Sequence, residues 1–444
     1  MIKNLNSPYV MKKNYILFLF IFCTYFVQSQ TITTIAGTGS SGFSGDGGLA
    51  TTAQLNLPFN ITFDKSDNIF IADTYNNSIR KIDSESGIIS TVVGTADKKL
   101  VSELKTPTGL TFDNYNNLFI ADLANLRIRK VNLDTGSSIT LVGEKSETEF
   151  PNINATLGGP FSVVFDKKGD LYISINGDSK VSKVEFSTGI VTTIAGTQEI
   201  GYSGDGKAAK ISQLANPTGL ALDGKGNLYI ADSGNERIRK VNLDTGIITT
   251  VAGTGERGYT KDGGLAIYAE LANPIGLAVD KKGDLFFVDR GNNLVRKINT
   301  TTGVISTIAG TGEAGFSGDG ELAKNAKLSN PTGLAFNNEG DLFIVDRGNN
   351  RIRKISGLSQ VVEETEFVLE DNISVYPNPS TDKITIELKR NVELNNALLF
   401  DISGNKIQVQ LTEKTLNVSK LPRGIYVLRL VTSKGTTEQK IVLE

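Results

Sequence analysis

The chain has 444 residues, with 46 lysines and arginines against 48 aspartates and glutamates, a formal net charge of −2, one cysteine, no histidine and no tryptophan. Without histidine there is no Ser-His-Asp or Cys-His nucleophilic site, no imidazole acid–base pair and no Cys/His zinc site. Charge this close to balance also argues against a generic polyanion binder.

The first element is a signal peptide over residues 1–29. Met11-Lys12-Lys13-Asn14 leads into an apolar run from Tyr15 to Val27 and then Gln28-Ser29-Gln30, the charged, apolar, polar order of a secretory leader, with Met11 as an alternative start. The apolar run has 13 positions, too few to span a bilayer, so no transmembrane anchor is expected in the mature chain. Cleavage is expected after Ser29, and bulky Phe22 before Cys23 argues against lipoprotein processing. Removal of the leader takes away the only cysteine, so the exported chain must hold together by its apolar core rather than by disulfides.

From residue 31 to 357 the sequence repeats itself. Taking a proline as origin, six copies begin at Pro58, Pro107, Pro160, Pro217, Pro274 and Pro331, with periods of 49, 53, 57, 57 and 57 residues. Each copy holds four short β-type runs separated by turn residues, the pattern of a propeller blade. The sixth copy lacks an outer strand, whereas Thr31 to Gly37, Thr-Ile-Thr-Thr-Ile-Ala-Gly, matches the outer strand Ile247 to Gly253. The expected fold is therefore all-β: a six-bladed propeller closed by its N-terminal strand, followed by a small C-terminal antiparallel β-sandwich. Gly219-Leu-Ala-Leu-Asp223, Leu228-Tyr-Ile-Ala-Asp232 and Asn235-x-Arg-Ile-Arg-Lys240 resemble the NHL-repeat family of propellers. That family includes RNA-binding, protein-binding, adhesive and enzymatic members, so the resemblance implies the fold and not the task.

Antiparallel strands put short turns at one end of the ring and longer loops at the other, and the loop end is the candidate binding surface. Its candidate ligand contacts are Tyr75, Asp178, Lys180, Arg290 and Arg347. The Asp-x-x-Asn-x-Arg loops are complete at Asp122, Asn125, Arg127, at Asp232, Asn235, Arg237 and at Asp346, Asn349, Arg351. They read as structural latches; Ser78 and Leu294 replace the arginine in blades one and five, and Ile175, Asp178 and Lys180 make blade three the divergent copy. Asp46, Asp205, Asp262 and Asp319 sit among glycines in the long inter-blade loops. One carboxylate per loop is a poor calcium ligand set, so these residues are expected to cap short helical turns, with Ala50 and Ala53 facing the propeller. The Arg-Lys pairs, Arg80-Lys81 among them, are expected to be neutralised by the repeated aspartates, and no nucleic-acid partner is expected.

Residues 358–371 form an acidic linker containing Glu363, Glu364, Glu366, Glu370 and Asp371. The C-terminal module, 372–444, shows alternating strands at Ile384–Leu388, Ala397–Asp401, Leu416–Val418, Tyr426–Leu430 and Glu438–Leu443. Val375-Tyr376-Pro377-Asn378-Pro379, then Asp401-Ile-Ser-Gly404, then Leu421-Pro-Arg-Gly424-Ile-Tyr426 and finally Lys440-Ile-Val-Leu443 resemble the type A sorting domain of the type IX secretion system. The resemblance implies passage through the periplasm and outer membrane of a Gram-negative cell, with the type IX machinery as a partner, and then release or surface attachment. The expected function is a non-catalytic binding or adhesion scaffold, secreted or on the cell surface, without a cofactor, engaging a protein or glycan. The alternative is a calcium-dependent lactonase- or lyase-like enzyme with a site in the central channel, although the innermost strands are apolar up to their terminal aspartates.

Overall fold

The computed structural model describes residues 30–94, 104–143, 157–358, 373–389, 392–401, 406–432 and 435–444. The leader 1–29 and the linker beyond residue 358 lie outside the described residues.

Six antiparallel four-stranded sheets form the blades, and two more form the C-terminal module. Blade four shows the plan: Pro217–Leu222 innermost, then Asn227–Asp232, Arg237–Asn242 and Ile248–Ala252. The second strand of each blade is apolar on both faces rather than alternating, because each face packs against a neighbouring blade. Leu228, Ile230 and Ala231 are all fully buried. Edge-to-face aromatic pairs stitch blades together, with ring centroids 4.9 Å apart for Phe70–Phe112, 4.7 Å for Phe119–Phe165 and 5.0 Å for Phe286–Phe336. Near the axis the strands come closer still. A Cβ on Gly276 would lie 2.1 Å from the Thr332 carbonyl oxygen, so a side chain there would force the innermost strands of blades five and six apart.

The ring closes as the repeat offset requires. Ile32–Ala36 pairs antiparallel with Arg351–Ile355, Ile32 opposite Ile355, and completes the sheet that also holds Leu342–Asp346 and Leu334–Phe336. The pair Phe63–Phe343, 4.9 Å apart, joins first blade to last.

At the turn end, the terminal aspartates of the innermost strands serve their own turns. Asp223 Oδ1 accepts from the backbone N–H of Lys225 at 2.7 Å and of Asn227 at 3.0 Å, and Oδ2 accepts from Asn227 Nδ2 at 2.6 Å. At the loop end, Phe59 of blade one meets Phe161 of blade three edge-to-face, centroids 5.0 Å apart. These blades are not neighbours in the ring, so their rings meet across the mouth of the axial channel and occupy it.

The C-terminal module packs its two sheets around Ile384, Ile386, Leu399, Leu416, Leu428, Leu430 and Ile441. The strand Gly424–Thr432 alternates buried and partly exposed residues from Tyr426 onward, as one face of a small sandwich demands. Strands Ile373–Tyr376, Lys406–Ile407 and Leu411–Thr412 were not among those expected from pattern. The first runs into the Tyr376-Pro377-Asn378-Pro379 motif, whose prolines masked it, and the other two span only two residues each.

Candidate functional site

The loop end is organised by a repeated polar latch. In blade four Asp232 Oδ1 accepts from the Ala215 N–H at 2.7 Å, and Oδ2 accepts from Asn235 Nδ2 at 2.8 Å and faces Arg239 Nη1 at 3.3 Å. The second hydrogen of that Asn235 amide bonds the Gly201 carbonyl in the preceding inter-blade loop at 2.7 Å. Asp73, Asp289 and Asp346 repeat the set with Arg80, Arg296 and Arg353 at 3.4, 3.6 and 3.5 Å. The latches of blades one, four, five and six thus use the arginine of the Arg-Lys pair, whereas in blade two Asp122 pairs with Arg127, as the motif read from the sequence has it. The replacements at Ser78 and Leu294 therefore leave the latches of blades one and five intact, which corrects the motif as first drawn. The first arginine of the motif has other tasks. Arg237 and Arg351 lie 3.7 Å over the Tyr202 and Phe316 rings and donate to the Thr254 and Thr38 carbonyls of the following loop, while Arg127 pairs with Asp122 at 2.8 Å.

The inter-blade aspartates do not cap helical turns. The turn Ala50–Thr52 begins at Leu49 with no side-chain cap, although Ala50 and Ala53 are buried as expected. Asp46, Asp205, Asp262 and Asp319 instead reach the buried latch arginines Arg80, Arg239, Arg296 and Arg353 at 2.7, 2.7, 3.2 and 2.7 Å. An ion–ion contact with a guanidinium already desolvated by the fold outweighs a cap on a three-residue turn. Among the described residues, no group of three or more acidic, His or Cys side chains is placed to hold a metal ion. Two lysines of the Arg-Lys pairs are engaged as well, Lys297 with Asp284 at 2.6 Å and Lys354 with Asp341 at 2.9 Å.

Burial pushes the Asp289 and Asp346 carboxyls up to about 6, against the lowering by their amide, backbone and arginine partners, and it raises Asp73 and Asp232 as well. Asp205 is pushed up by burial too, but Thr250, Arg239 and Tyr202 prevail and hold it below its ordinary value. A carboxyl whose folded value exceeds its unfolded one, 3.8, binds more protons when folded between the two. Its contribution to stability is then full below about pH 4 and is lost as pH rises through about 6. Asp346→Asn removes that contribution. In urea unfolding, the variant's stability should climb more steeply with pH than the wild type's between about pH 4 and 6; parallel profiles would contradict this assignment.

Blade three replaces the latch with neutral residues: Ile175 stands where blade four has Asp232, Ser182 stands where it has Arg239, and both are buried. Asp178 and Lys180 pair with each other at 3.0 Å, and Asp178 Oδ2 also accepts from the Gly158 N–H at 3.3 Å. The other loop-face candidates lie on blades one, five and six. The Arg347 guanidinium sits 5.6 Å from the Tyr75 ring centroid and 5.9 Å from that of Phe59. Arg290 is close enough to Arg347 that, after burial, the charge of Arg347 further lowers its affinity for its own proton. Among the described residues, no ion pair or hydrogen bond joins Asp178 or Lys180 to this group. The plug formed by Phe59 and Phe161 was missed in the sequence, where both read as ordinary strand residues after a proline.

In the tail, Asn378 clamps the last strand, donating from Nδ2 to the Lys440 carbonyl at 2.7 Å and accepting from the Val442 N–H at 2.8 Å. Tyr426 is buried and donates its hydroxyl to the Pro422 carbonyl at 2.7 Å, just before Gly424. Tyr376 is exposed, and cis bonds precede both Pro377 and Pro379. Ile402, Ser403 and Gly404 lie outside the described residues.

Residues 374–444 match the secretion system C-terminal sorting domain, residues 33–110, 198–261 and 255–316 match the Teneurin NHL domain, and 328–355 match the NHL repeat. The chain is thus an NHL-repeat β-propeller protein with a type IX secretion sorting tail, and the tail marks export to the cell surface or extracellular space. It is 28% identical over 337 residues to Protein SUPPRESSOR OF QUENCHING 1, chloroplastic, of Arabidopsis thaliana, covering 73% of this chain and 27% of that protein. It is 28% identical to Teneurin-4 of Mus musculus, over 62% of this chain and 10% of the relative, and 24% identical to NHL repeat-containing protein 2 of Homo sapiens, over 83% and 48%. The chain therefore spans less than half the length of each of these relatives. Among solved structures, a protein of unknown function from Bacteroides thetaiotaomicron superposes with TM-score 0.57 at 20% identity, over 74% of this chain and 76% of that one. An auxiliary nutrient binding protein from Bacteroides ovatus does so with TM-score 0.57 at 19% identity, over the same shares. At these identities the likeness is one of fold.

Proposed function

We propose that this protein is an extracellular, non-catalytic binding scaffold whose propeller engages a protein or glycan through its loop face. The observation that carries the reading is the meeting of Phe59 and Phe161 across the axial mouth, beside Arg347 and the exposed Tyr75. A lactonase- or lyase-like enzyme would need carboxylate or amide groups converging where these two rings stand. The proposal carries no cofactor. Asp46, Asp205, Asp262 and Asp319 each give an oxygen to a latch arginine rather than to calcium. The sorting tail supplies the location in which such a surface would meet its ligand, and the type IX machinery is the partner assigned to residues 372–444.

The mature chain holds no cysteine, so single cysteines can be labelled cleanly. Tyr75 is 59% exposed on the loop face and Tyr115 is 86% exposed on a turn at the other end. On arrays of glycans and extracellular proteins, a bulky maleimide label on Tyr75→Cys should abolish binding, while the same label on Tyr115→Cys should leave it intact. Block by the Tyr115 label alone, or by neither, would overturn the loop-face reading.

A further inference from the structure

The residue after the latch aspartate begins the turn that faces the next blade around the ring. It is Thr74, Leu123, Asn176, Ser233, Arg290 and Arg347 in blades one to six. In blades one and four its hydroxyl donates to the carbonyl of the next blade's first proline, Pro107 or Pro274. The fold is thus served by a small polar or apolar residue, and arginine at two successive blades is not a requirement of the propeller. The two arginines also differ from the latch arginines around them. Among the described residues neither side chain makes an ion pair or a hydrogen bond, whereas Arg80, Arg239, Arg296 and Arg353 each pair with aspartates; a buried Nε without a partner is common to Arg347 and those four. Both are partly withdrawn from water, stand at the same place on adjacent blades, and after burial the charge of Arg347 adds to the cost of charging Arg290.

We propose that Arg290 and Arg347, with the Tyr75 ring, bind the anionic group of an acidic sugar, a uronate carboxylate or a sulfate ester; this rests on the loop-face reading above. Two like charges held side by side without a counter-ion are at their most favourable when one anion bridges them. Guanidinium forks are shaped for that contact with planar or tetrahedral oxyanions. Tyr75 offers a flat apolar face next to the clamp, against which a sugar ring can lie. An acidic protein surface would need a broad positive field to steer it. The positive charge around Tyr75 is local rather than a broad field, because the latch arginines of blades one, four, five and six are engaged by aspartates.

The test is calorimetric titration of the full mature chain with trigalacturonate, a sulfated disaccharide, neutral cellotriose and a glutamate-rich peptide, at low and high salt. The variants are Arg290→Ser and Arg347→Ser, the residue that blade four carries at this position, and Arg347→Lys. The proposal expects an acidic sugar to bind, to bind less tightly as salt rises, and to lose roughly tenfold or more in affinity in each serine variant, with partial recovery in the lysine variant. Preference for uronate or for sulfate identifies the source of the anion. Acidic-sugar binding unchanged in both serine variants, no binding of either acidic sugar, or binding of the peptide alone would overturn the proposal. Neutral-sugar binding that Tyr75→Cys labelling blocks but the arginine variants leave alone would sink the anion site while leaving the loop-face reading standing. Thermal unfolding of each variant without ligand confirms folding; relief of the like-charge contact should leave the midpoint equal or higher.

Discussion

Deleting residues 31–36 from the mature chain should cost about 4 kcal/mol or more, the scale of one large core truncation plus several backbone hydrogen bonds. The strand Ile32–Ala36 is the outer edge of blade six, Ile32 is fully buried against Ile355 and Leu342, and Ala36 is fully buried on the side of blade one. Its loss bares the edge of Arg351–Ile355, a template for pairing with another chain. Calorimetry of the deleted chain should show a lowered midpoint and concentration-dependent association. A midpoint within error of wild type would mean that the ring does not rely on this closure.

The second large effect concerns the latches. Asp232→Ala takes from Arg239 its one fully buried carboxylate and leaves it the Ser203 carbonyl, the Tyr202 ring and half-exposed Asp205, and breaking a buried pair in this way costs on the order of 3–5 kcal/mol. Asp205→Ala should cost far less, about 1 kcal/mol or below, because that carboxylate's side chain is 39% exposed and solvent screens its pairing. Blade three shows the neutral alternative in place, Ile175 with Ser182 at the equivalent positions. The double variant Asp232→Ile, Arg239→Ser should therefore recover most of what Asp232→Ala loses. Denaturant titration of the four chains checks this, and a double variant less stable than Asp232→Ala would show that blade three's solution depends on its own surroundings.

The propeller was legible because its signal repeats. The prolines at Pro58 through Pro331 set the period, and the match of Thr31 to Gly37 with Ile247 to Gly253 sets the closure. The latch aspartates and asparagines were legible for the same reason, but outside blade two the arginine that meets them stands two positions further along the strand than the motif suggests, Arg239 rather than Arg237. The partner of Asp46 was misread as a helical cap because Arg80 lies 34 residues away, beyond any local rule. A signal was present nonetheless. The same separation of 34 recurs for Asp205 with Arg239, Asp262 with Arg296 and Asp319 with Arg353, while blade three lacks the arginine. The Phe59–Phe161 plug and the Arg290–Arg347 neighbourhood are contacts between blades, set by how the ring brings copies together. One copy's sequence carries no trace of them, although aligning the six copies places the two arginines on adjacent blades.

The most direct measurement is fractionation of producing cells, with mass spectrometry of the mature termini, for the intact chain and for one ending at Gly357. The account expects the intact protein at the surface or in the medium without residues 1–29, and the shortened one folded but held in the periplasm. A shortened chain that reaches the surface as efficiently as the intact one would contradict it.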